Sequence, residues 1–215
     1  MKISKKELIS IIQSTESFTK PRVDLEQYCI DALSAVDIIF FAGFEYNDIK
    51  NKFIVDLGSG TGRLSIASAY VKANSVLSID IDFNALNTLK KNIYSLGLED
   101  IIFPLCTNVE NLEFSKKHLF NNLKVTTIMN PPFGVKKRTA DRIFLEKAFS
   151  FSNVVYSIHL AGEKTFRFIS KFAERFNWHI DNYFPYNMIL ERSFQFHTKK
   201  AKNIDVNVFR FVKNR

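Results

Sequence analysis

Phe53-Ile54-Val55-Asp56-Leu57-Gly58-Ser59-Gly60-Thr61-Gly62 decides how this chain folds. The apolar run ending at Leu57 reads as a buried strand, alternate glycines follow it, and Arg63 to about Lys72 carries helical spacing. A strand, a glycine loop and a helix in succession let backbone approach a nucleotide-like ligand closely. Spacing then chooses the ligand. A dinucleotide fingerprint needs a further glycine after two intervening residues, and Arg63 stands there instead. The pattern present is acidic-x-Gly-x-Gly-x-Gly, which has no pyrophosphate to cradle and sets the Asp56 carboxylate where a cationic amino-acid moiety would lie.

Outward from that loop, strands and helices alternate. Towards the N-terminus, residues 5 to 13 are helical, Ser17 to Pro21 form a loop, and Asp24 is expected to cap a helix reaching about Phe41 that Gly43 stops. Towards the C-terminus come a strand from Val76 to Asp80, a helix from Phe83 to about Ser95, and a third strand from Ile101 to Leu105. A short helix is expected within Asn108 to Phe120. Thr126 to Met129 is the fourth strand, a helix runs from Asp141 to Phe151, Val154 to Ile158 is the fifth strand, and a helix spans Glu163 to Arg175. Two last strands, His179 to Phe184 and Ile204 to Val212, have a long loop and no crossover helix between them, so they should pair antiparallel. The prediction is an α/β, Rossmann-like fold: a seven-stranded mixed sheet with a C-terminal antiparallel hairpin and helices on both faces.

Composition sets the frame. At 215 residues, 46% hydrophobic and 24% charged, the chain suits one domain over residues 1 to 215. No apolar run is long enough to cross a bilayer, and the apolar stretch after the basic N-terminus breaks at Gln13 to Thr15, too early for a signal peptide. Cys29 and Cys106 lie far apart without metal-ligand spacing, so the expectation is two reduced thiols in the cytoplasm and no metal site. A net charge of +8 favours a polyanionic partner.

The second chemical signal is Asn130-Pro131-Pro132-Phe133, which stops the fourth strand at its carboxyl end, where open α/β sheets keep their sites. It suits methylation of a planar exocyclic amine. The lone pair of such a nitrogen is delocalised until its hydrogens are held in a tetrahedral arrangement. The Asn130 side-chain oxygen and the Pro131 carbonyl, aimed by two fixed proline φ angles, supply two acceptors. Phe133 would stack on the base. The bland alternative is a strand-ending turn with a core phenylalanine.

Together the two motifs resemble class I S-adenosylmethionine-dependent methyltransferases, and more closely the methyltransferase-like family that makes N6-methyladenosine in small-subunit ribosomal RNA of archaea and eukaryotes. The likeness takes in Leu25-Glu26-Gln27-Tyr28, Asp80-Ile81-Asp82, Phe144-Leu145, Tyr156-Ser157-Ile158-His159 and Phe196-His197-Thr198-Lys199-Lys200, nearly the whole chain. It implies S-adenosylmethionine as cofactor and a lid from residues 1 to 50, with Gln27 and Tyr28 over the donor pocket. Gly58, Gly60 and Gly62 with Asp56 would form the pocket's floor, and Asp80 would take the ribose hydroxyls while Asp82 caps the next helix. Asn108, at the end of the third strand, would face the donor's adenine, and Asn130 to Phe133 would be the acceptor clamp. Two departures stand out: Cys29-Ile30 replace the family's usual Pro-Thr, and Asn108 replaces an acid.

RNA is the expected substrate. Lys136, Lys137 and Arg138 follow the clamp directly, and Lys199 and Lys200 belong to the family likeness; an RNA backbone would use such cations. The resemblance also implies a small zinc-binding activator protein, paired with the edge strand at 101 to 105, where Ile102→Lys should sever the contact. Two rivals are weighed. A protein glutamine N5-methyltransferase shares the Asn-Pro-Pro-aromatic clamp, but usually with Tyr in place of Phe133 and with a separate N-terminal domain. A non-catalytic RNA-binding protein with a methyltransferase fold is the other, and the intact loop and clamp argue against it.

Overall fold

A computed structural model describes residues 3–114, 124–134, 139–191 and 201–214. In it β1 (Phe53–Leu57) is central, paired in parallel with β2 (Ser75–Asp80) on one side and β4 (Val125–Met129) on the other. The sheet order is β3-β2-β1-β4-β5-β7-β6, with β3 (Ile102–Cys106), β5 (Val154–Leu160), β6 (Trp178–Glu191) and β7 (Ala201–Lys213). β7 runs antiparallel between β5 and β6. The chain builds outward from β1 through β2 to β3, then returns to add β4 and β5 on the opposite side. Strand order therefore reverses between β1 and β4, and a crevice opens beyond their carboxyl ends.

Strand side chains alternate, so the two faces of β1 feed separate cores. Ile54 joins a cluster beneath α1 (Lys5–Gln13), α2 (Ala32–Phe40), α3 (Arg63–Tyr70) and α4 (Phe83–Leu96). Val55 and Leu57 join another beneath α5 (Ala140–Phe151) and α6 (Glu163–Arg175). The small residues of α3, Ser65, Ala67, Ser68 and Ala69, are all buried, and they let α1 and α2 pack over it. Asp82 caps α4 by accepting from the Asn84 amide, and Gly97 ends that helix at φ +62, where the left-handed backbone suits glycine.

The N-terminal segment departs from expectation. Asp24 is exposed, pairs with Arg22 and caps nothing; Glu26 sits at φ +52, which a right-handed helix cannot use. Asp31 is the cap instead, accepting from the Ser34 amide at 2.9 Å, and α2 starts at Ala32. Gly43 is no stop either. A π-helical turn over Phe41–Glu45 runs through it, and a Cβ there would lie 2.6 Å from Val71 Cγ1, so glycine is what lets this turn pass the end of α3.

At the C-terminus the hairpin forms as expected, but its strands are 14 and 13 residues long, well beyond the spans expected for them. The added length docks on α2: the Ile189 amide donates to Asp31 at 3.0 Å and the Tyr186 hydroxyl to Asp37 at 2.9 Å. Those partners are distant in sequence, and Pro185 argues locally against a continuing strand. Of the Asn108 to Phe120 stretch where a short helix is expected, the described residues hold a 3-10 turn over Val109–Asn111, and residues 115 to 120 lie outside the described residues.

Candidate active site

The donor half is built on β1 and β2. Gly58, Gly60 and Gly62 have φ of +72, +54 and +91, and a Cβ on Gly62 would come within 2.1 Å of Leu89 Cδ1. The loop is drawn onto β2 by hydrogen bonds from the Gly58 and Ser59 amides to the Ile79 carbonyl. Asp80 ends β2 and accepts from the Gly60 amide at 2.8 Å through one oxygen and the Asp82 amide at 2.9 Å through the other. Each carboxylate oxygen keeps capacity for a further donor. Burial pushes Asp80 up, against those two amides.

Asp56 is buried on the same floor. Its Oδ2 accepts from the Ser65 hydroxyl at 2.6 Å, while Oδ1, like Ser59 Oγ, has no partner among the described residues. Burial raises its pKa to about 7, Ser65 opposes that, and the nearby Asp80 charge adds to it. Unsatisfied buried polar atoms are rare, and two beside a glycine loop suit a ligand carrying polar groups of its own. The cavity above them holds about 250 Å³ and is lined by Gln27, Tyr28, Asp56, Gly58, Gly60, Gly62, Asp80 and Asn108, among others.

A strap from residues 14 to 31 covers this cavity. Gln27 is the pin: its Nε2 donates to Asp82 at 2.8 Å and its Oε1 accepts from the Arg22 amide at 2.7 Å. Cys29 Sγ lies 3.1 Å from the Ser17 hydroxyl and 3.3 Å from that of Thr61, so the thiol ties the strap to the glycine loop. The guanidinium of Arg63 donates to the Ile30 carbonyl at 2.7 Å. Asn92 closes the strap, donating to the carbonyls of Glu16 and Thr61 and accepting from the Glu16 amide at 2.8 Å.

The acceptor half stands one strand away. Leu57 is in register with Met129, so Gly58 and Asn130 leave adjacent strand ends side by side, and Asn130 and Pro132 line the same cavity. Pro131 is buried; Asn130, Pro132 and Phe133 are half-buried. Tyr28 lies here rather than over the donor floor alone. Its hydroxyl donates to Asn130 Oδ1 at 3.3 Å and its ring stacks on Phe133 with centroids 5.4 Å apart and planes 28° apart.

Asn108 has a local role as well: its Oδ1 accepts from the Glu110 amide at 3.0 Å, which caps the turn there. Lys136, Lys137, Arg138, Lys199 and Lys200 lie outside the described residues. Several lining residues escape sequence reasoning. Phe18 packs over Gly60 and Phe144 over Gly58, each within van der Waals reach of where a Cβ would be. Asn92 carried one faint signal, a polar residue on the apolar stripe of α4.

The rRNA N6-adenosine-methyltransferase METTL5 of Danio rerio is 33% identical over 209 residues, 96% of this chain and 98% of its own length. The chain belongs to the METTL5 family. A Methanocaldococcus jannaschii protein of uncharacterised function is 37% identical over 98% of this chain and 95% of its own. A proposed RNA methyltransferase of Pyrococcus horikoshii superposes with a TM-score of 0.87 at 33% identity, covering all of both chains. The model of the ribosomal protein L11 methyltransferase family matches residues 26–128 and so stops short of Asn130: it shares the donor half and is silent on the acceptor. The METTL5 relationship and the Rossmann-like architecture make S-adenosylmethionine the donor, and the orphaned Asp56 oxygen and positive-φ glycines fit it.

Proposed function

We propose that this protein transfers a methyl group from S-adenosylmethionine to the N6 amine of an adenine in RNA, most fittingly small-subunit ribosomal RNA. One observation carries the reading: the Asn130 amide opens onto the same cavity as the glycine loop, in a chain of the METTL5 family. The donor, when bound, supplies an electrophilic methyl group on a sulfonium. Asp80 would hold its ribose, Asp56 its ammonium and Asn108 the rim of its adenine, with residues 1 to 50 as lid. Asn130 Oδ1 and the Pro131 carbonyl would accept the two amine hydrogens, and Phe133 would stack on a base taken out of its helix. Alignment and paired acceptors are sufficient, since the proton becomes acidic after the new bond forms. No strong base is required.

Lys136, Lys137, Arg138, Lys199 and Lys200 are assigned to the RNA backbone, and the salt dependence of RNA binding reads their contribution. The test of the whole is mapping of N6-methyladenosine in ribosomal RNA with and without the gene, together with donor-dependent methylation in vitro. Unchanged maps and an inert enzyme would overturn it. Among the described residues no helix is long and apolar enough to cross a membrane, and the free thiols suit the reducing cytoplasm.

A partner on β3 completes the reading. β3 is an edge strand, Phe103 and Leu105 are 47% and 39% exposed, and a groove lined by Ile93, Tyr94, Phe103 and Pro104 lies between it and α4. An apolar edge of this kind suits strand addition by the small zinc-binding activator. Ile102 is a poor probe of that contact, because it is 2% exposed and a lysine there would attack the core. Phe103→Lys should abolish co-purification of the partner without lowering the melting temperature of the isolated chain. A fully active monomer purified alone would count against the partner.

A further inference from the structure

Tyr28 engages both recognition elements of the acceptor clamp at once. Its hydroxyl donates to Asn130 Oδ1 at 3.3 Å, the atom assigned to the target amine, and its ring lies on Phe133 at 5.4 Å, the surface assigned to the target base. That separation is direct ring-to-ring contact, with no room for a base between the two. Phe133 and Tyr28 both pack against the core cluster beneath α1 to α4, and Tyr28 also lines the cavity shared with Asn130. Burial holds the phenol well above its ordinary pKa, so it is a neutral hydrogen-bond donor, as an exocyclic amine is. In shape and in hydrogen bonding, Tyr28 resembles the aromatic amine for which the clamp is built.

We infer that Tyr28 is a placeholder for the target adenine: it fills the clamp in the resting enzyme and is exchanged for the base when RNA binds. The inference rests on the adenine reading above. The neighbouring contacts say how the exchange happens. Gln27 is pinned to Asp82 and Cys29 lies against Thr61, so the backbone on both sides of Tyr28 is tethered to the donor half. The side chain therefore turns out of the clamp by rotating about its own bonds while the strap stays in place. Glu26, two residues earlier, is held at φ +52, an uncommon conformation for a non-glycine residue. The exchange has a thermodynamic consequence: a site occupied by its own side chain binds its ligand more weakly by the fraction of time it stands open. It also keeps the clamp's polar and aromatic surfaces covered until a base replaces them.

The experiment uses the full chain, with its activator if it co-purifies, saturated with S-adenosylhomocysteine, and adenosine 5′-monophosphate as probe. Binding is measured for wild type and Tyr28→Phe, and the 3-fluorotyrosine resonance of Tyr28 is followed by fluorine NMR, assigned by its loss in Tyr28→Phe. Removing one competing hydrogen bond should tighten nucleotide binding about three- to tenfold in Tyr28→Phe, and the Tyr28 resonance should shift on titration of wild type. Nucleotide binding with a stationary Tyr28 resonance, or with affinity unchanged or weakened in Tyr28→Phe, overturns the placeholder and leaves the adenine reading standing. If wild type binds no adenine nucleotide and methylates no adenine in RNA, the adenine reading fails, and the placeholder for adenine fails with it.

Discussion

The donor and acceptor halves of the cavity lie on adjacent strands yet are built to different standards. Around the glycine loop, Asp80 accepts from two backbone amides, Asn92 bridges the strap to Thr61, and Gln27 reaches across to Asp82, all of them buried. At the strand end of β4, Asn130, Pro132 and Phe133 are half-buried, and Asn130 and Phe133 are contacted by one tyrosine side chain. A site held by buried polar partners has its geometry before the ligand arrives. The difference suggests a division of labour: the donor finds a finished site, whereas the acceptor site is completed by the base that enters it. Changes in the donor half should then appear as lost stability or donor affinity, and changes in the clamp as lost turnover.

The largest expected effect tests the clamp side of that division. On the proposed roles, Asn130→Ala would remove one of two acceptors for the amine, an interaction strengthened in the transition state, and should lower turnover on the order of a hundredfold or more. The Asn130 side chain bonds Tyr28 rather than the glycine loop or Asp80, so the donor's dissociation constant should barely move. Single-turnover kinetics beside calorimetry of donor binding separates the two. Near-normal turnover would remove Asn130 from the chemistry.

Gly62→Ala makes the opposite incision. The new Cβ meets Leu89 Cδ1 at 2.1 Å on a backbone at φ +91, combining overpacking with strain. Roughly 2 kcal/mol or more of stability should go, seen as a fall in melting temperature of several degrees for a chain of this length. If the variant melts like wild type and merely turns over slowly, the donor half is more pliable than its hydrogen bonds imply.

The same contrast explains what the sequence disclosed. Strands and glycine loop were legible because they obey local rules: an apolar run, positive-φ glycines, an acid ending β2. Asn-Pro-Pro-Phe was legible as a motif because it is contiguous, and Asn130 and Pro132 do line the cavity. The strap was not. Gln27 to Asp82 spans 55 residues and Asn92 to Glu16 spans 76, and nothing in residues 22 to 31 distinguishes a helix start at Asp24 from one at Asp31. Tyr28 was legible as a pocket residue through family likeness, but its bond to Asn130 crosses 102 residues, so its turn towards the clamp depends on the assembled sheet. The outward face of β3 follows strand alternation, which puts Phe103 and Leu105 on the surface and Ile102 inside.

The smallest effect is the most specific to the donor floor. Burial lifts Asp56 from an ordinary 3.8 to about 7, so in the donor-free protein its neutral form prevails below about pH 7. A carboxyl with a raised folded pKa contributes stability that is complete below about pH 4 and is lost as pH climbs through about 7. Donor binding should act against this, because a bound ammonium near the orphaned Oδ1 favours the carboxylate and binding expels the proton. Donor affinity should therefore rise with pH, by roughly eightfold between pH 6 and pH 7.5 for a group titrating near 7. Asp56→Asn cannot ionise: its donor affinity should be flat over that interval and below wild type at pH 7.5. Calorimetry in two buffers of different ionisation enthalpy would count the released proton directly. A wild-type affinity that ignores pH, or an Asp56→Asn variant with the wild-type slope, would show that the ammonium lies elsewhere and that the buried carboxyl serves Ser65 and the sheet alone.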